Sequence, residues 1–350
     1  MKKLLLITLC ALLCCAQSLR AGEPDAPNVS EIVNTIAQRI KLSGYAQAGY
    51  DYYSGKDESN QFRIARVILI ADAQVNDRLR AHALYNFRSA TLLELWFSYR
   101  VSSLVNVKMG QFKTPFSIEN PMSPSLHELI GCTSLATDYM IRGGSGLMMK
   151  GCTGRDIGLT IYGDLIKGAL TYDLAVMNGA GRNNSDNNQQ KDFVARLSWH
   201  PWKELTISGS ALKGTGNIAV RNEGGVIMSD VADITGLKSN GNFRRDRYAL
   251  GAELKSKPLT IRSEYMIGKD GHTDSNGFYA TGTANNVAKH LDWIVSYDHL
   301  DIWSGHTDRY TTGLQYWFYP KCRLQLSYSL TRQPGEQKQH ALLTQMQVRF

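Results

Sequence analysis

The chain has 350 residues, with 39 Lys and Arg against 31 Asp and Glu and a formal net charge of +8. That basicity is too mild to argue for a nucleic-acid partner. No apolar run of helix-spanning length follows the first twenty residues, which excludes a helical membrane protein but not a transmembrane barrel, where only alternate strand residues meet lipid.

Residues 1–21 read as a secretory signal. Lys2 and Lys3 form a positive n-region, 4–15 is an apolar h-region too short for a membrane helix, and Ala21 precedes Gly22 at a plausible cleavage point. Leu13 before Cys14, and Cys14 before Cys15, fit a lipidation signal poorly. Cleavage would remove Lys2, Lys3 and Arg20 and no acid, lowering the charge from +8 to +5. It would leave Cys132, Cys152 and Cys322, which form no disulfide framework. Cys132 and Cys152 share one long loop and could close it; three unpaired thiols is the favoured reading.

Residues 22–41 are expected to be a periplasmic segment, Pro-rich over 22–28. Ser30 then caps a short helix over 31–40, with Ile32, Val33, Ile36 and Ile40 on one stripe.

From residue 42 to 350 the dominant signal is period two. Leu342, Thr344, Met346, Val348 and Phe350 fall on one face, opposite Leu343, Gln345, Gln347 and Arg349. Leu324, Leu326, Tyr328 and Leu330 oppose Arg323, Gln325, Ser327 and Ser329 in the same way. In order, the strand candidates are 42–53, 62–75, 79–88, 92–101, 104–112, 155–163, 168–178, 191–200, 204–213, 246–256, 259–268, 276–284, 290–300, 308–318, 322–331 and 340–350. The pair 276–284 and 290–300 has the weakest pattern. Alternate connections are short, such as 76–78, 102–103, 201–203, 257–258 and 319–321. The others are mostly longer and polar, including 179–190, 214–245, 269–275 and 332–339. Short turns at one rim and long loops at the other favour an all-β, antiparallel, up-and-down transmembrane barrel of about sixteen strands over a soluble sandwich. Tyr45, Tyr50, Tyr52, Tyr85, Tyr99, Trp199, Trp202, Tyr248, Tyr265, Tyr310, Tyr316 and Phe318 lie near strand ends, as aromatic girdles would.

The third long connection, 113–154, is the longest. It is moderately charged and carries Leu126, Leu129, Ile130 and Leu135, so it is expected to fold into the lumen, with a short helix within 125–138. Its candidate constriction residues are Lys113, Glu119, Glu128, Asp138, Arg142 and Lys150. By strand parity the pore-lining cations include Arg66, Arg80, Arg100, Lys108, Arg196, Arg247, Arg262 and Arg309, with Lys255, Arg323 and Arg349 on the same faces. They outnumber the lumen-facing acids Asp72, Glu94, Asp173, Glu253, Glu264, Asp292 and Asp298. A solvated, salt-bridged wall accounts for most of these charges; the excess tilts the passage towards anions.

Several stretches carry a resemblance: GQFKTPFSIE at 110–119, RDIGLTIYGDL at 155–165, GALTYDLAVMNGAG at 168–181, DWIVSYDHLD at 292–301 and DRYTTGLQYWFYPKCRLQLSYS at 308–329, with Phe350 at the end. Together they resemble the phosphate-selective porin O/P family over most of 42–350. The resemblance implies a sixteen-stranded bacterial outer-membrane porin, often a homotrimer, whose third loop constricts each pore. It also implies that Phe350 is the signal read by the barrel-assembly machinery. No dense run of Arg in the third loop forms a phosphate ladder, so passive diffusion of small hydrophilic solutes, leaning towards anions such as phosphate, is the expected function. The partners expected are outer-membrane lipid and a small-molecule or ionic permeant, with no nucleic acid and no cofactor or metal. The rivals are a structural or adhesive barrel with a closed lumen and an outer-membrane hydrolase. None of the eight His falls in a hydrolase motif, and Gly143-Gly144-Ser145-Gly146 is a Gly run and no nucleophile elbow.

Overall fold

The computed structural model describes residues 39–55, 58–131, 133–143, 152–186, 188–217 and 242–350. The expected signal, most of the expected N-terminal helix, Cys132 and Lys150 lie outside the described residues.

Sixteen strands form one closed antiparallel barrel in which each pairs with its sequence neighbours. They are β1 Ile40–Ser54, β2 Ser59–Gln74, β3 Leu79–Asn86, β4 Thr91–Arg100, β5 Asn106–Lys113, β6 Arg155–Ile166, β7 Leu170–Met177 and β8 Asp192–Trp202. The second half is β9 Leu205–Asn217, β10 Asn242–Ser256, β11 Leu259–Asp270, β12 Thr273–Ala288, β13 Leu291–Ile302, β14 Gly305–Tyr319, β15 Cys322–Arg332 and β16 Gln339–Arg349. β1 closes on β16 in a register running from Tyr45 opposite Arg349 to Ser54 opposite His340. Gly44 and Phe350 exchange backbone hydrogen bonds of 3.1 and 3.0 Å at the seam. Closure pairs every strand edge, which a lipid environment demands because it offers no water to unsatisfied backbone groups.

The alternation read from the sequence sets which face meets lipid. On β13, Trp293 and Val295 are exposed while Asp292, Ile294, Ser296 and Asp298 are buried. On β16, Leu342, Met346 and Val348 point out while Gln345 and Gln347 are buried inside. The exterior is apolar and the interior polar, the reverse of a soluble protein.

Four expectations need correction. Strand β12 begins at Thr273, so the loop expected at 269–275 is a two-residue turn with Asp270 opposite Thr273. Small residues at Gly277, Thr281, Gly282 and Thr283 had blurred the alternation there. The long-loop rim also carries short turns at 87–90 and 303–304, so loop sorting is weaker than expected. Tyr45 belongs to no girdle; it is buried on the inward side of β1 with Gln47 and Asp51. Ile40 opens β1 and does not close a helix.

Strand β2 changes facing along its length. Phe62 contacts outward Tyr50, and Arg63 pairs with inward Asp51. Further on, Arg66 donates to inward Gln47 at 2.8 Å and Asp72 meets His82 at 2.7 Å. Inward positions are thus odd at Arg63 and even from Arg66 onward, the effect of one inserted residue in a strand.

Candidate functional site

The segment joining β5 to β6 begins with a staple. Asn120 Nδ2 donates to the carbonyls of Thr114 and Gly154, at 2.8 and 3.0 Å, clamping its two ends. Ser134 is the N-cap of a helical turn, α1 (Leu135–Thr137), and its side chain accepts from the Thr137 amide. A π turn, Asp138–Arg142, follows and ends on Gly143, whose φ of 73° is the left-handed cap that glycine adopts freely. Buried Glu119 ties the turn down, accepting from the Ser134 amide at 2.9 Å and the Thr137 hydroxyl at 2.8 Å.

Helix was expected within 125–138 but occupies 135–142. The physical reason is visible in the hydrogen bonds. Arg323 takes the carbonyls of Ser125 and His127, Gln325 takes that of Glu128, and Gln347 takes that of Ser125. Carbonyls aimed outward at wall side chains cannot also receive bonds from four residues on.

Contacts with the wall run through one arc of strands. The Ser117 amide donates to Ser210 on β9, Ile118 to Glu264 on β11 and Leu135 to Asp298 on β13. Arg247 on β10 donates to the Met140 carbonyl, and Arg309 on β14 to that of Thr133. Beneath the segment, Phe116, Ala136, Tyr139, Met140 and Ile141 share one apolar cluster with inward Met177, Leu212, Met266 and Leu300. Each such side chain contributes about 1.5–3 kcal/mol when fully buried. Gly268 and Gly277 permit the approach: a Cβ at Gly277 would lie 2.6 Å from that of Ala136.

The expected pore-lining cations separate into two groups. Along β8–β14 each is bound to a carboxylate: Arg196 to Asp173 at 2.8 Å, Arg247 to Asp270 at 2.6 Å, Arg262 to Glu128 at 2.5 Å and to Glu253 at 3.1 Å, and Arg309 to Asp298 at 3.0 Å. Arg247 and Arg262 are fully buried, so they anchor the segment and offer no face to a permeant. Along β2–β5, Arg66 donates to the neutral Gln47, while Arg80 and Lys108 form no ion pair among the described residues. Arg100 donates to the Asp77 carbonyl in the 75–78 turn and belongs to the rim, not the interior.

Of the expected constriction residues, Lys113 donates to the Met122 carbonyl, and Arg142 lies 3.9 Å from Asp138, whose side chain is half-exposed. Glu119 and Glu128 point instead into the buried cluster around Arg262. The buried Glu119 carboxyl is held above its ordinary pKa by desolvation. Burial also pushes the imidazole of His127 well below its ordinary value, and the charges of Arg262, Lys113, Arg142 and Arg66 act in the same direction. Cys152 keeps a buried thiol that faces the Ile141 carbonyl at 3.4 Å.

Several functional residues escaped the sequence reading. Arg63 was hidden by the change of facing in β2. Arg155, bound to Glu94 at 2.8 Å, and Arg245, 3.6 Å from Asp192, sit at strand ends where parity is hardest to assign. A signal for the covered wall did exist. In Leu174-Ala175-Val176-Met177 both parities are apolar, and the inward pair, Ala175 and Met177, is buried under the segment.

A family model described as phosphate-selective porin O and P matches residues 40–350. The chain belongs to that family. It is an outer-membrane porin, a channel built on the closed barrel described above. No curated protein matches it by sequence. Among solved structures, this porin resembles the anion-selective porin from Comamonas acidovorans, with a TM-score of 0.65 at 12% identity, covering 89% of this chain and 99% of that one. It resembles the outer membrane channel DcaP of Acinetobacter baumannii, with a TM-score of 0.62 at 12% identity over 89% and 97% of the two chains. The trimer form of OmpT, an outer membrane protein of Vibrio cholerae, gives 0.62 at 10% identity over 89% and 100%. At such identities the likeness is one of fold.

Proposed function

We propose that this porin passes small hydrophilic solutes by diffusion and leans towards anions, phosphate among them. The observation that carries this is the division of the inner wall. The wall cations bound to the 114–143 segment from β10, β11 and β14, and Arg196 on β8, are matched by carboxylates, whereas Arg66 on β2, Arg80 on β3 and Lys108 on β5 form no ion pair among the described residues. Unmatched positive charge beside a water-filled passage favours entry of anions. The segment narrows the lumen, and its Lys113, Asp138 and Arg142 border the remaining opening. The anion-selective neighbour and the trimeric form of another support a selective channel assembled as a homotrimer. Residues 1–21 act as a cleaved signal and 22–39, ahead of β1, as a periplasmic lead. Phe350, exposed on the lipid side at the seam, is presented to the assembly machinery. The test is the reversal potential in a KCl gradient. Replacing Lys113 and Arg142 together by Gln lowers anion preference; an unchanged potential would remove both from the constriction.

A further inference from the structure

Two of the unmatched cations stand in one row. Arg80 on β3 faces Ser98 on β4, and Ser98 faces Lys108 on β5. Adjacent strands lie about 4.8 Å apart, so the two cationic residues start about 10 Å apart across a small hydroxyl residue. The Lys108 ammonium is framed by rings, 4.4 Å from the centroid of Phe112, 5.3 Å from Trp96 and 5.4 Å from Tyr162. Asp173 and Glu94 act on it electrostatically, but each is already bound to an arginine, Arg196 and Arg155 respectively. Rings orient an ammonium without neutralising it, so its N–H donors stay available.

The adjoining row on the same face is flat and aromatic. Trp96 lies directly opposite His82, and the rings stack at 4.7 Å and 10°. Asp72 holds His82 from the other side at 2.7 Å and is half-exposed. A charge-binding row thus borders a ring-binding row, with carboxylates at the margin.

We propose that this wall of β3–β5 binds an organic monocarboxylate bearing an apolar or aromatic ring, in preference to inorganic phosphate. Lys108, Ser98 and Arg80 take the carboxylate, while Trp96 and His82 receive the ring. Inorganic phosphate at neutral pH is a mixture of mono- and dianion, more highly charged than a carboxylate. It must give up a larger hydration shell than a carboxylate does, and it meets repulsion from half-exposed Asp72 without a dense set of donors to offset it. A single negative charge with an apolar remainder suits a site of few donors and broad rings. The inference rests on the channel reading and specifies its permeant.

The experiment is block of chloride current through the purified native porin in planar bilayers at pH 7, titrated separately with benzoate, acetate and phosphate. Benzoate blocks at concentrations about five- to tenfold below those needed of acetate, the worth of one aromatic contact, and below those of phosphate. Lys108→Gln weakens block by benzoate and acetate alike, and Trp96→Leu brings benzoate to the level of acetate. The native benzoate–acetate comparison makes the ring test even if Trp96→Leu does not assemble. Phosphate blocking at lower concentration than benzoate, or benzoate block unchanged in Lys108→Gln, overturns the assignment while leaving a working channel. Absence of any conductance is a different result, and it overturns the channel reading itself.

Discussion

Arg323, projecting inward from β15, donates to the His127 carbonyl at 2.7 Å, joining residues 196 apart in the chain. The same guanidinium bonds the Ser125 carbonyl at 3.2 Å and Gln315 at 2.7 Å, and lies over the Trp317 ring. Arg247, Arg262 and Arg309 reach the same segment from β10, β11 and β14. Inward arginines, which a pore is expected to use on its permeant, are here used largely to fasten a loop across the barrel. Bonds to charged donors are worth about 1.5–3 kcal/mol each, so the fastening is strong.

The Arg262 cluster is the tightest part of that fastening. Arg262→Met leaves buried Glu119 and part-buried Glu128 without their cation, while Glu253 keeps Lys255, at a cost of about 3–5 kcal/mol to the docked loop. Single-channel recordings of the variant show larger or noisier openings, and adding Glu128→Leu restores part of the native trace. Recordings identical to the native porin would mean that the cluster does not hold the loop.

Acid acts through His127. Its pKa is depressed by burial in the docked loop, so the undocked loop binds the proton more readily. Docking is therefore at full strength above the ordinary imidazole pKa of about 6.5 and weakens as the pH falls below it. Glu119, whose pKa is raised, works the other way. His127→Gln removes the first effect and leaves the second. Channel noise that rises below about pH 6.5 in the native porin, and does not rise in His127→Gln, is the expected pair of results. Equal acid responses in both would exclude His127.

Gly277 tests the close approach of α1 to the wall. A side chain there meets Ala136 and the His299 carbonyl, and overpacking of this kind costs about 1–3 kcal/mol. Gly277→Leu should lift the 135–142 turn and change the unitary conductance while the barrel stays resistant to detergent at room temperature. Unaltered conductance would indicate that the turn does not border the passage.

The barrel was legible because its rule is local: alternate residues face lipid, and turns interrupt the alternation. That is why β13 to β16 matched their expected faces, and why the inward acids Asp173, Asp292 and Asp298 stand where parity put them. Legibility failed where a strand departs from strict alternation, as in β2, and where small residues thin the signal, as in β12. The roles of the inward arginines were not legible at all. Parity says that Arg247 and Lys108 both point inward. Only the path of the 114–143 segment distinguishes them, by burying Arg247 beneath Met140 and leaving Lys108 among rings. That path depends on contacts between residues a hundred or more positions apart, which no local pattern encodes.

A selective channel must carry current past the loop fastened inside its barrel. Conductance of the purified, refolded protein in planar bilayers under a KCl gradient decides whether it does. Stepwise channels with a reversal potential of the anion-preferring sign are expected. A folded, heat-modifiable barrel that carries no current would contradict that expectation and show that the fastened loop closes the lumen.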